Sequence, residues 1–353
     1  MIVAKKEGVL MEKTKLPFEN AGVLNPAVFQ DGNTVHLFYR AVQKGNISTI
    51  GYCKLNGPLT IEHRNTSPVI CSENDYESHG VEDPRIVKIE DTYYLSYVAY
   101  DGVNALGALA TSKDLINWEK KGIIVAKITF DEFEAITKKH KLNQKYGRYN
   151  AQIGVIARKG DKVLLWDKDL VLFPRKINEK FVFIHRIKPD IQIVEVDKFE
   201  DLNDKFWKDY FSNISKNILM KPRYSHECSY IGGGCPPIET EKGWLLIYHG
   251  VTDTVNGYVY SACASLLDLK NPTKEIARLP YPLFSPESKW ELEGQVDNVC
   301  FPTGTALFDD KLYIYYGAAD KRIGVASVNL SELLKELMNN TLENEKYNDK
   351  LKS

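Results

Sequence analysis

Five stretches of the chain are mostly apolar, are rich in aromatic and β-branched residues, and follow polar or charged breaks. The stretches are HLFYR (36–40), YYLSYVAY (93–100), FVFIHR (181–186), WLLIYHG (244–250) and LYIYYGAAD (312–320). Such runs are typical of β-strands, in which alternate residues face opposite sides of the sheet. The pattern therefore predicts a protein built mainly of β-sheet.

Each of these stretches follows a turn that contains proline. The five turns are Asn25-Pro26-Ala27, Asp83-Pro84-Arg85, Phe173-Pro174-Arg175, Cys235-Pro236-Pro237 and Phe301-Pro302-Thr303. A sheet unit that recurs and closes on itself forms a β-propeller, whose ligand site lies in the central channel. The predicted fold class is all-β: a five-bladed β-propeller with two helical insertions and a short C-terminal helix.

Two segments interrupt the repeat and have the pattern of helices. In the first, residues 127–146, Thr129 and Glu132 have the spacing of a capping box. The second covers residues 197–220. Their apolar stripes consist of Phe130, Phe133 and Ile136 in the first segment and of Phe199, Leu202, Phe206, Trp207 and Phe211 in the second. Such stripes either pack on the outside of the propeller or form a subunit interface of a homo-oligomer.

The pattern assigns residues 1–338 to a single propeller domain and residues 339–353 to a polar C-terminal tail. The helix of the last unit is predicted to begin near Ser331 and Glu332.

Charge and composition exclude several classes of partner. The 46 basic and 47 acidic residues give a net charge of −1, without a basic stripe, so nucleic acid is not an expected partner. Apolar runs are too short to span a bilayer. The first residues, MIVAKKEGVLMEK, carry charges where a secretory signal is apolar, which predicts a cytoplasmic protein. The alternative is a leader removed before this start.

Charged residues concentrate at the predicted proline turns and the strands that follow them. Because inner strands line a propeller channel, we expect these side chains to converge. Buried charges are costly unless they are paired or functional. The set comprises Asn25, Arg40, Asp83, Arg85, Lys168, Arg175, His185, Arg186, His226, Glu227, Tyr230, His249, Asp253, Asp297 and Asp320.

The segment HGVEDPRIV (79–87) is the sharpest local signal. Pro84 disfavours helical backbone at Asp83, which predicts an extended conformation there. Alternation then places Asp83 and Arg85 on one face and Glu82 on the other. A carboxyl group next to apolar strands and an arginine suits an acid with a tuned pKa. The alternative is an Asp–Arg pair that merely closes a turn.

Three longer motifs resemble glycoside hydrolase family 130. They are GVEDPRI, IGGGCPPIETEKGWLLIYHG and FPTG…LYIYYGAAD, and the similarity runs from about Asn25 to about Leu330. The resemblance implies a five-bladed propeller that cleaves β-mannosides with inversion at the anomeric carbon. It also implies that Asp83 is the proton donor, which in the phosphorolytic members acts through a sugar hydroxyl. The further sugar-site residues that it implies are Asn25, Arg40, His185, Asp253 and Asp320.

One departure from the family pattern bears on the nucleophile. The phosphorolytic members have three basic positions for phosphate, and this chain keeps two, Lys168 and Arg186, but has Tyr230 at the third. Glu227 lies three residues earlier. One lost cation and one added anion disfavour a bound divalent anion by about 1–4 kcal/mol per unit of charge. A carboxylate is instead what water needs as a general base.

The main prediction is therefore an inverting exo-β-mannosidase with Asp83 as acid and Glu227 as base, about 6.5–9.5 Å apart. The resemblance to the hydrolytic members of the family implies that the linkage is β-1,2. No cofactor or metal is expected, because the His, Asp and Glu residues lack metal-site spacing. The predicted substrate-binding residues are Asn25, Arg40, Arg85, Lys168, His185, Arg186, His226, Tyr230, His249, Asp253 and Asp320.

Two other functions remain open from the sequence. One is a phosphorylase of β-1,2- or β-1,4-mannosides that releases mannose 1-phosphate. The other is a sugar-binding propeller without catalysis. Glu227 also has an alternative role, a salt bridge to Arg223, Lys168 or Arg186.

Overall fold

A computed structural model describes residues 1–148 and 162–342. Strands dominate it, as the apolar runs predict. The strands are β1 (Lys5–Met11), β2 (Gly22–Asp31), β3 (Thr34–Gln43), β4 (Ile47–Asn56), β5 (Thr60–Arg64), β6 (Gly80–Ile89), β7 (Thr92–Tyr100), β8 (Ala105–Ser112), β9 (Glu119–Ile123), β10 (Lys168–Leu172), β11 (Phe181–Arg186), β12 (Ile191–Val196), β13 (Ile218–Met220), β14 (Tyr230–Gly233), β15 (Ile238–Thr240), β16 (Gly243–Thr254), β17 (Gly257–Leu267), β18 (Glu275–Arg278), β19 (Cys300–Phe308), β20 (Lys311–Ala318) and β21 (Arg322–Asn329).

Helices are few and lie between or after the sheets. The α-helices are α1 (Phe130–Thr137), α2 (Asp204–Phe211), α3 (Ile214–Asn217), α4 (Lys289–Leu292) and α5 (Leu330–Asn339), and residues 145–148 are also helical. Short 3-10 turns cover Pro17–Glu19, Asp75–Glu77, Phe199–Asp201 and Ser225–Glu227. Among the described residues, no helix has the length and apolar character needed to cross a membrane.

The strands form four sheets. Strands β10 to β13 form one, β14 to β18 another, and β19 to β21 a third, to which the N-terminal strand β1 adds antiparallel to β21. The fourth sheet holds β2 to β9 and consists of two antiparallel units, β2–β5 and β6–β9, joined by the single parallel pair Ser48–Gly80. The sheets do not hydrogen-bond into one closed ring in the part of the chain described, so the five-bladed propeller remains a prediction.

Apolar side chains pack each unit of antiparallel strands against the next. The unit β2–β5 packs on β6–β9, which packs on β10–β13 together with the helical insertions. The unit β10–β13 packs on β14–β18, and β14–β18 on β19–β21. A fifth cluster joins the first unit to the last, for example Leu37 of β3 with Tyr315 of β20. Each of the five units thus has two neighbours.

Both helical insertions are confirmed. Thr129 accepts from the backbone N–H of Glu132, whose side chain binds back, so the capping box forms and α1 begins at Phe130. Phe133 of α1 and Trp207 and Phe211 of α2 are buried in the cluster between the second and third units. The other stripe residues pack against the same cluster but are only half-buried, so a subunit interface on these stripes remains a prediction; they are Phe130, Ile136, Phe199, Leu202 and Phe206.

The C-terminal helix α5 is also present, with Leu333, Leu334 and Leu337 buried. Most of the predicted polar tail, residues 343–353, lies outside the described residues.

Candidate active site

A cavity of about 230 Å³ lies where inner strands of several units meet. Its lining is unusually rich in charge, with four basic and three acidic side chains. The lining residues are Asn25, Arg40, Asp83, Trp166, Lys168, Asp169, Arg186, Lys188, Tyr230, Tyr260, Val296, Val299, Phe301 and Asp320. The structure thus brings together seven of the sequence-predicted site residues: Asn25, Arg40, Asp83, Lys168, Arg186, Tyr230 and Asp320.

The backbone at the two proline turns differs from the predicted extended form. Asn25 and Asp83, each before a proline, have φ of 48° and 49°. The register of β2–β3 and of β6–β7 shifts at these residues, so both are bulges. The prediction was wrong because proline disfavours only the right-handed helical region for its predecessor, and Asn and Asp adopt the left-handed region more readily than most residues.

The two bulges place their side chains together. The Asn25 amide donates to the Asp83 carboxylate at 2.7 Å. Arg40 of β3 donates to Asp83 at 3.3 Å and to Glu82 at 2.6 Å. Glu82 and Asp83 therefore both reach Arg40, contrary to the opposite faces that strict alternation predicts. At this bulge the Asp83 carboxylate is therefore bound by both the amide of Asn25 and the guanidinium of Arg40.

Asp83 and Asp320 experience the same cations but titrate differently. Burial opposes ionisation of Asp83, but Arg40, Lys168 and the Asn25 hydrogen bond together lower its pKa to about 2. For Asp320, burial raises the pKa to about 6, against the attraction of Arg40, and the Asp83 charge adds to the rise. The more basic carboxylate is therefore Asp320, and Asp83 is ionised.

Three cations lie along another part of the cavity lining, in Lys168, Arg186 and Lys188. The Lys188 ammonium is 3.9 Å from the centre of the Tyr230 ring, and the Arg186 guanidinium is 5.3 Å from it. Burial, with the charges of Arg186 and Lys168, holds the pKa of Lys188 well below its usual range. At the position where the family pattern has a lysine, this chain has the ring of Tyr230. The ammonium of Lys188, which comes from another segment, lies over this ring.

Asp169 balances part of this charge. It is buried, with φ of 52°, and its carboxylate is 3.0 Å from Arg186. The imidazole of His249 lies 3.6 Å from the same carboxylate. Burial and the neighbouring cations lower the pKa of His249 well below its usual range, so this histidine is neutral behind the cavity lining.

Two other predicted binding residues support the cavity from behind without lining it. Arg85 is 2% exposed, and its guanidinium donates to the carbonyls of Asp83, Pro84 and Gly234. His185 is fully buried, with Asp167 at 2.8 Å on one ring nitrogen and the Tyr210 hydroxyl at 2.9 Å on the other. Neither residue is placed to touch a ligand in the cavity.

Glu227, the predicted base, also lies outside the cavity lining. Its side chain is 0% exposed and accepts from Arg278 at 3.0 Å, from the Tyr248 hydroxyl and from the backbone N–H of Arg223 at 2.7 Å. A carboxylate with these partners is a buried structural anion, and its salt bridge is to Arg278 rather than to any of the arginines or lysines considered from sequence. The hypothesis that it activates water is therefore withdrawn.

His226 and Asp253 complete the predicted set. His226 is almost buried beside Glu227, and burial lowers its pKa. Asp253, near the end of β16, pairs with Arg148 at 2.6 Å on the surface. Both lie away from the cavity lining.

Within the described residues, His226, Glu227 and Cys263 form a group whose ligand atoms lie within 4.8 Å of one another. Arg278 and Tyr248 already occupy the Glu227 oxygens. This donor set therefore fits a hydrogen-bonded core better than a metal ion.

Sequence reasoning missed seven residues of the lining, and four of these have a polar group in the side chain: Trp166, Asp169, Lys188 and Tyr260. Two of these residues have a sequence position by which they could have been found. Asp169 follows the predicted Lys168 at another register shift, between β10 and β11, and Lys188 precedes Pro189, as Asn25 and Asp83 precede their prolines. Charged residues at bulges and directly before prolines are therefore the candidates for such a site.

Comparison with known proteins places the chain among mannoside-processing enzymes. The model of glycoside hydrolase family 130, described as beta-1,4-mannooligosaccharide phosphorylase, matches residues 6–339. A 1,2-beta-oligomannan phosphorylase of Thermoanaerobacter sp. (strain X514) is 36% identical over 337 residues, covering 92% of this chain and 96% of that protein. A beta-1,2-mannobiose phosphorylase of the same strain is 36% identical over 330 residues, covering 88% and 91%.

A solved structure resembles the whole chain. The beta-1,2-mannobiose phosphorylase of Listeria innocua, in complex with beta-1,2-mannobiose, superposes with a TM-score of 0.70. The match covers 95% of this chain and 99% of that one at 23% sequence identity. At this identity the likeness shows a shared fold.

Proposed function

Since the chain belongs to glycoside hydrolase family 130, we propose that it is a phosphorylase that cleaves β-1,2-linked mannosides and releases mannose 1-phosphate. This proposal replaces the hydrolase predicted from sequence. The β-1,2 linkage follows the names of the two relatives that are 36% identical.

The observation that carries the proposal is the cluster of Lys168, Arg186 and Lys188 in the cavity lining. The hydrolase prediction assumed that Tyr230 removes a cation and that Glu227 adds an anion. Lys188 restores a cation next to the Tyr230 ring, and Glu227 is neutralised elsewhere by Arg278. Phosphate binding needs several convergent cations, and this cavity supplies them.

In the proposed reaction, a phosphate oxygen attacks the anomeric carbon of the mannose while the bond to the leaving sugar oxygen breaks. Inversion then yields the α-anomer of mannose 1-phosphate. The leaving oxygen takes a proton that originates from Asp83, the residue that the family pattern makes the donor. Asn25 and Arg40 fix this carboxyl group in place.

The low pKa that the protein groups give Asp83 is compatible with this role. A divalent anion bound nearby disfavours a second negative charge and raises the pKa of a neighbouring carboxyl group. Phosphate binding therefore favours protonation of Asp83, with Asp320 as a further carboxylate in the same cavity. In this proposal the phosphate nucleophile itself raises the pKa of Asp83, so that the acid is protonated when phosphate is bound.

We also propose that the five units of strands are the blades of a five-bladed propeller. The cyclic order of the five apolar clusters supports this, since the first unit packs on the last. The pairing of the N-terminal β1 with the C-terminal β21 supports it as well, because the two ends of the chain then share one blade.

Phosphate dependence tests the function. β-1,2-Mannobiose is incubated with the enzyme at rising phosphate concentration, and mannose and mannose 1-phosphate are measured separately. We expect mannose 1-phosphate only with phosphate present, and equal amounts of mannose and mannose 1-phosphate. Release of two mannose units per mannobiose in phosphate-free buffer at the full rate would reject the proposal.

The variant Asp83→Asn tests the role of Asp83 as the proton donor. We expect a loss of turnover of about 10²–10⁴-fold, the contribution of a positioned acid. Full retention of mannobiose binding with no measurable turnover in the unmodified enzyme would instead indicate a sugar-binding protein.

A further inference from the structure

A second groove, of about 470 Å³, opens beside the cavity. It is more open to solvent, since Asn46 and Gln295 are exposed and Gln43 is half-buried. Its walls come from the turn between β3 and β4, from the turn between β20 and β21 and from the loop before β19.

The groove and the cavity share two walls. Asp320 lines the cavity and the next residue, Lys321, lines the groove. Likewise Gln295 lines the groove and the next residue, Val296, lines the cavity. The two spaces are therefore adjacent at two places.

Backbone contacts fix this shared wall. The N–H of Gln295 donates to the carbonyl of Ala319 at 3.0 Å, and Ala319 precedes Asp320. A Cβ on Gly294 would lie 1.8 Å from the same carbonyl oxygen, so only glycine allows this close approach. The position of the groove relative to Asp320 is thus built into the fold.

The chemistry of the groove differs from that of the cavity. Gln43, Asn46 and Gln295 contribute amide groups, Lys321 contributes the one charged side chain of the lining, and no carboxylate takes part. The Gln295 amide nitrogen lies 3.4 Å from the Asn46 amide oxygen. Amides donate and accept at once, which suits hydroxyl groups of an uncharged chain rather than an anion.

We propose that this groove binds the third and later sugar units when the substrate is a β-mannoside of three or more units. The proposal rests on the proposed function, because the cavity must hold the sugar that is cleaved. It assigns chain-length preference to the amides of the groove.

The test compares two chain lengths in the double variant Gln43→Ala/Gln295→Ala. The ratio of kcat/KM for β-1,2-mannotetraose to that for β-1,2-mannobiose is expected to fall about tenfold, since two neutral hydrogen bonds to the longer substrate are lost. The control is Asn56→Ala, an exposed amide at the opposite end of the β3–β4 pair from Gln43, for which the ratio should stay unchanged.

Calorimetry of mannotetraose binding without phosphate separates this proposal from the proposed function. A weaker affinity of about tenfold in the double variant supports the groove even if the intact enzyme forms no mannose 1-phosphate. An unchanged kcat/KM ratio together with unchanged tetraose affinity, in an enzyme that does form mannose 1-phosphate, overturns it. An equal loss for both chain lengths also overturns it, because it indicates a structural effect.

Discussion

Asp83 and Asp320 illustrate at the residue scale how one cavity separates the ionisation of two carboxyl groups. Both interact with Arg40, but Asp83 also accepts a hydrogen bond from Asn25. Asp320, whose pKa is raised to about 6, is the residue for which ionisation is costly. Such a cost is common where function requires a charge in a confined site.

This cost predicts the effect of Asp320→Asn on stability. A raised folded-state pKa means that the contribution of Asp320 to stability is complete below the unfolded value and is lost as pH rises through about 6. The variant has no carboxyl group to ionise, so at pH 7 it should be more stable than the unmodified protein by about 1–2 kcal/mol. This figure is smaller than the full pKa shift would give, because the Asp320 side chain is partly exposed. Urea unfolding at about pH 7 and about pH 4 measures it.

The advantage of the Asp320→Asn variant should be largely lost by about pH 4, where the carboxyl group is protonated in the folded state and about half protonated in the unfolded state. Asp197→Asn, on the surface, is the control and should show no such dependence. A variant less stable than the unmodified protein at pH 7 would show that ionised Asp320 stabilises the fold through Arg40.

Lys188 carries the second residue-scale prediction. Because its pKa is held well below the usual range, rising pH removes its charge, and phosphate binding should weaken. Lys188→Met should raise the KM for phosphate about tenfold at neutral pH, since one unit of charge at short range is worth about 1–4 kcal/mol. The KM of this variant should also rise less with pH than the KM of the unmodified enzyme. Initial rates over a range of phosphate concentrations and pH give both quantities.

The matched control for Lys188 is Lys205→Met on the exposed side of α2, which should leave KM unchanged. Lys188→Arg should restore most of the phosphate affinity, since charge is retained. A wild-type KM in Lys188→Met would exclude Lys188 from the phosphate site.

Glu227 carries the third prediction. Glu227→Gln leaves the buried Arg278 without one of its two carboxylate partners, Glu227 and Glu275. Removing one partner of a buried ion pair costs about 3–5 kcal/mol, and here we expect about 3 because Glu275 remains. Activity per folded molecule should be retained. Urea unfolding and kcat on the folded fraction measure the two effects.

Glu239→Gln is the control, because Glu239 pairs with Arg175 on the surface, where such a pair is worth about 0–1 kcal/mol. If Glu227→Gln abolished turnover without loss of stability, the catalytic-base hypothesis would return.

At the element scale, insertion helix α2 is tied to strand β11 through one buried chain of hydrogen bonds. Tyr210 of α2 meets His185 of β11 at 2.9 Å and donates to the Ile193 carbonyl at 2.9 Å, and Asp167 holds the other side of His185. The next residue along β11 is Arg186, in the cavity lining. The helix thus supports the strand that presents a proposed phosphate contact.

Tyr210→Phe tests this support. Loss of the hydroxyl leaves the Ile193 carbonyl without this donor and should destabilise the protein by about 1–3 kcal/mol. Tyr93→Phe, at a half-buried position of β7, is the control with an expected change below about 0.5 kcal/mol. Equal urea midpoints for Tyr210→Phe and the unmodified protein would show that this link contributes nothing.

Elements were predictable from sequence where a local rule decides them. The apolar strand runs, the Thr129–Glu132 capping box and the start of the C-terminal helix all follow such rules. The bulges at Asn25 and Asp83 did not follow, because the choice between extended and left-handed backbone depends on what the side chain reaches across the sheet. For the same reason Lys188 and Asp169 were missed.

At the scale of the whole molecule, the repeat explains why the predicted charges fall into two groups. Residues at the bulges and strand ends of different units meet in one cavity, whereas Arg85, His185 and Glu227 lie behind it. Sequence cannot separate the two groups, since both are charged residues in apolar strands. Their separation is the basis for proposing an anion site in place of the predicted water-activating site.

The source of the new oxygen on the anomeric carbon tests the central claim most directly. β-1,2-Mannobiose is cleaved in ¹⁸O-labelled water with unlabelled phosphate, and the sugar released from the cleaved side is analysed by mass spectrometry and phosphorus NMR. The account predicts mannose 1-phosphate of the α configuration without ¹⁸O at the anomeric carbon. Two molecules of free mannose per mannobiose, with no mannose 1-phosphate, would contradict it, because water would then be the nucleophile.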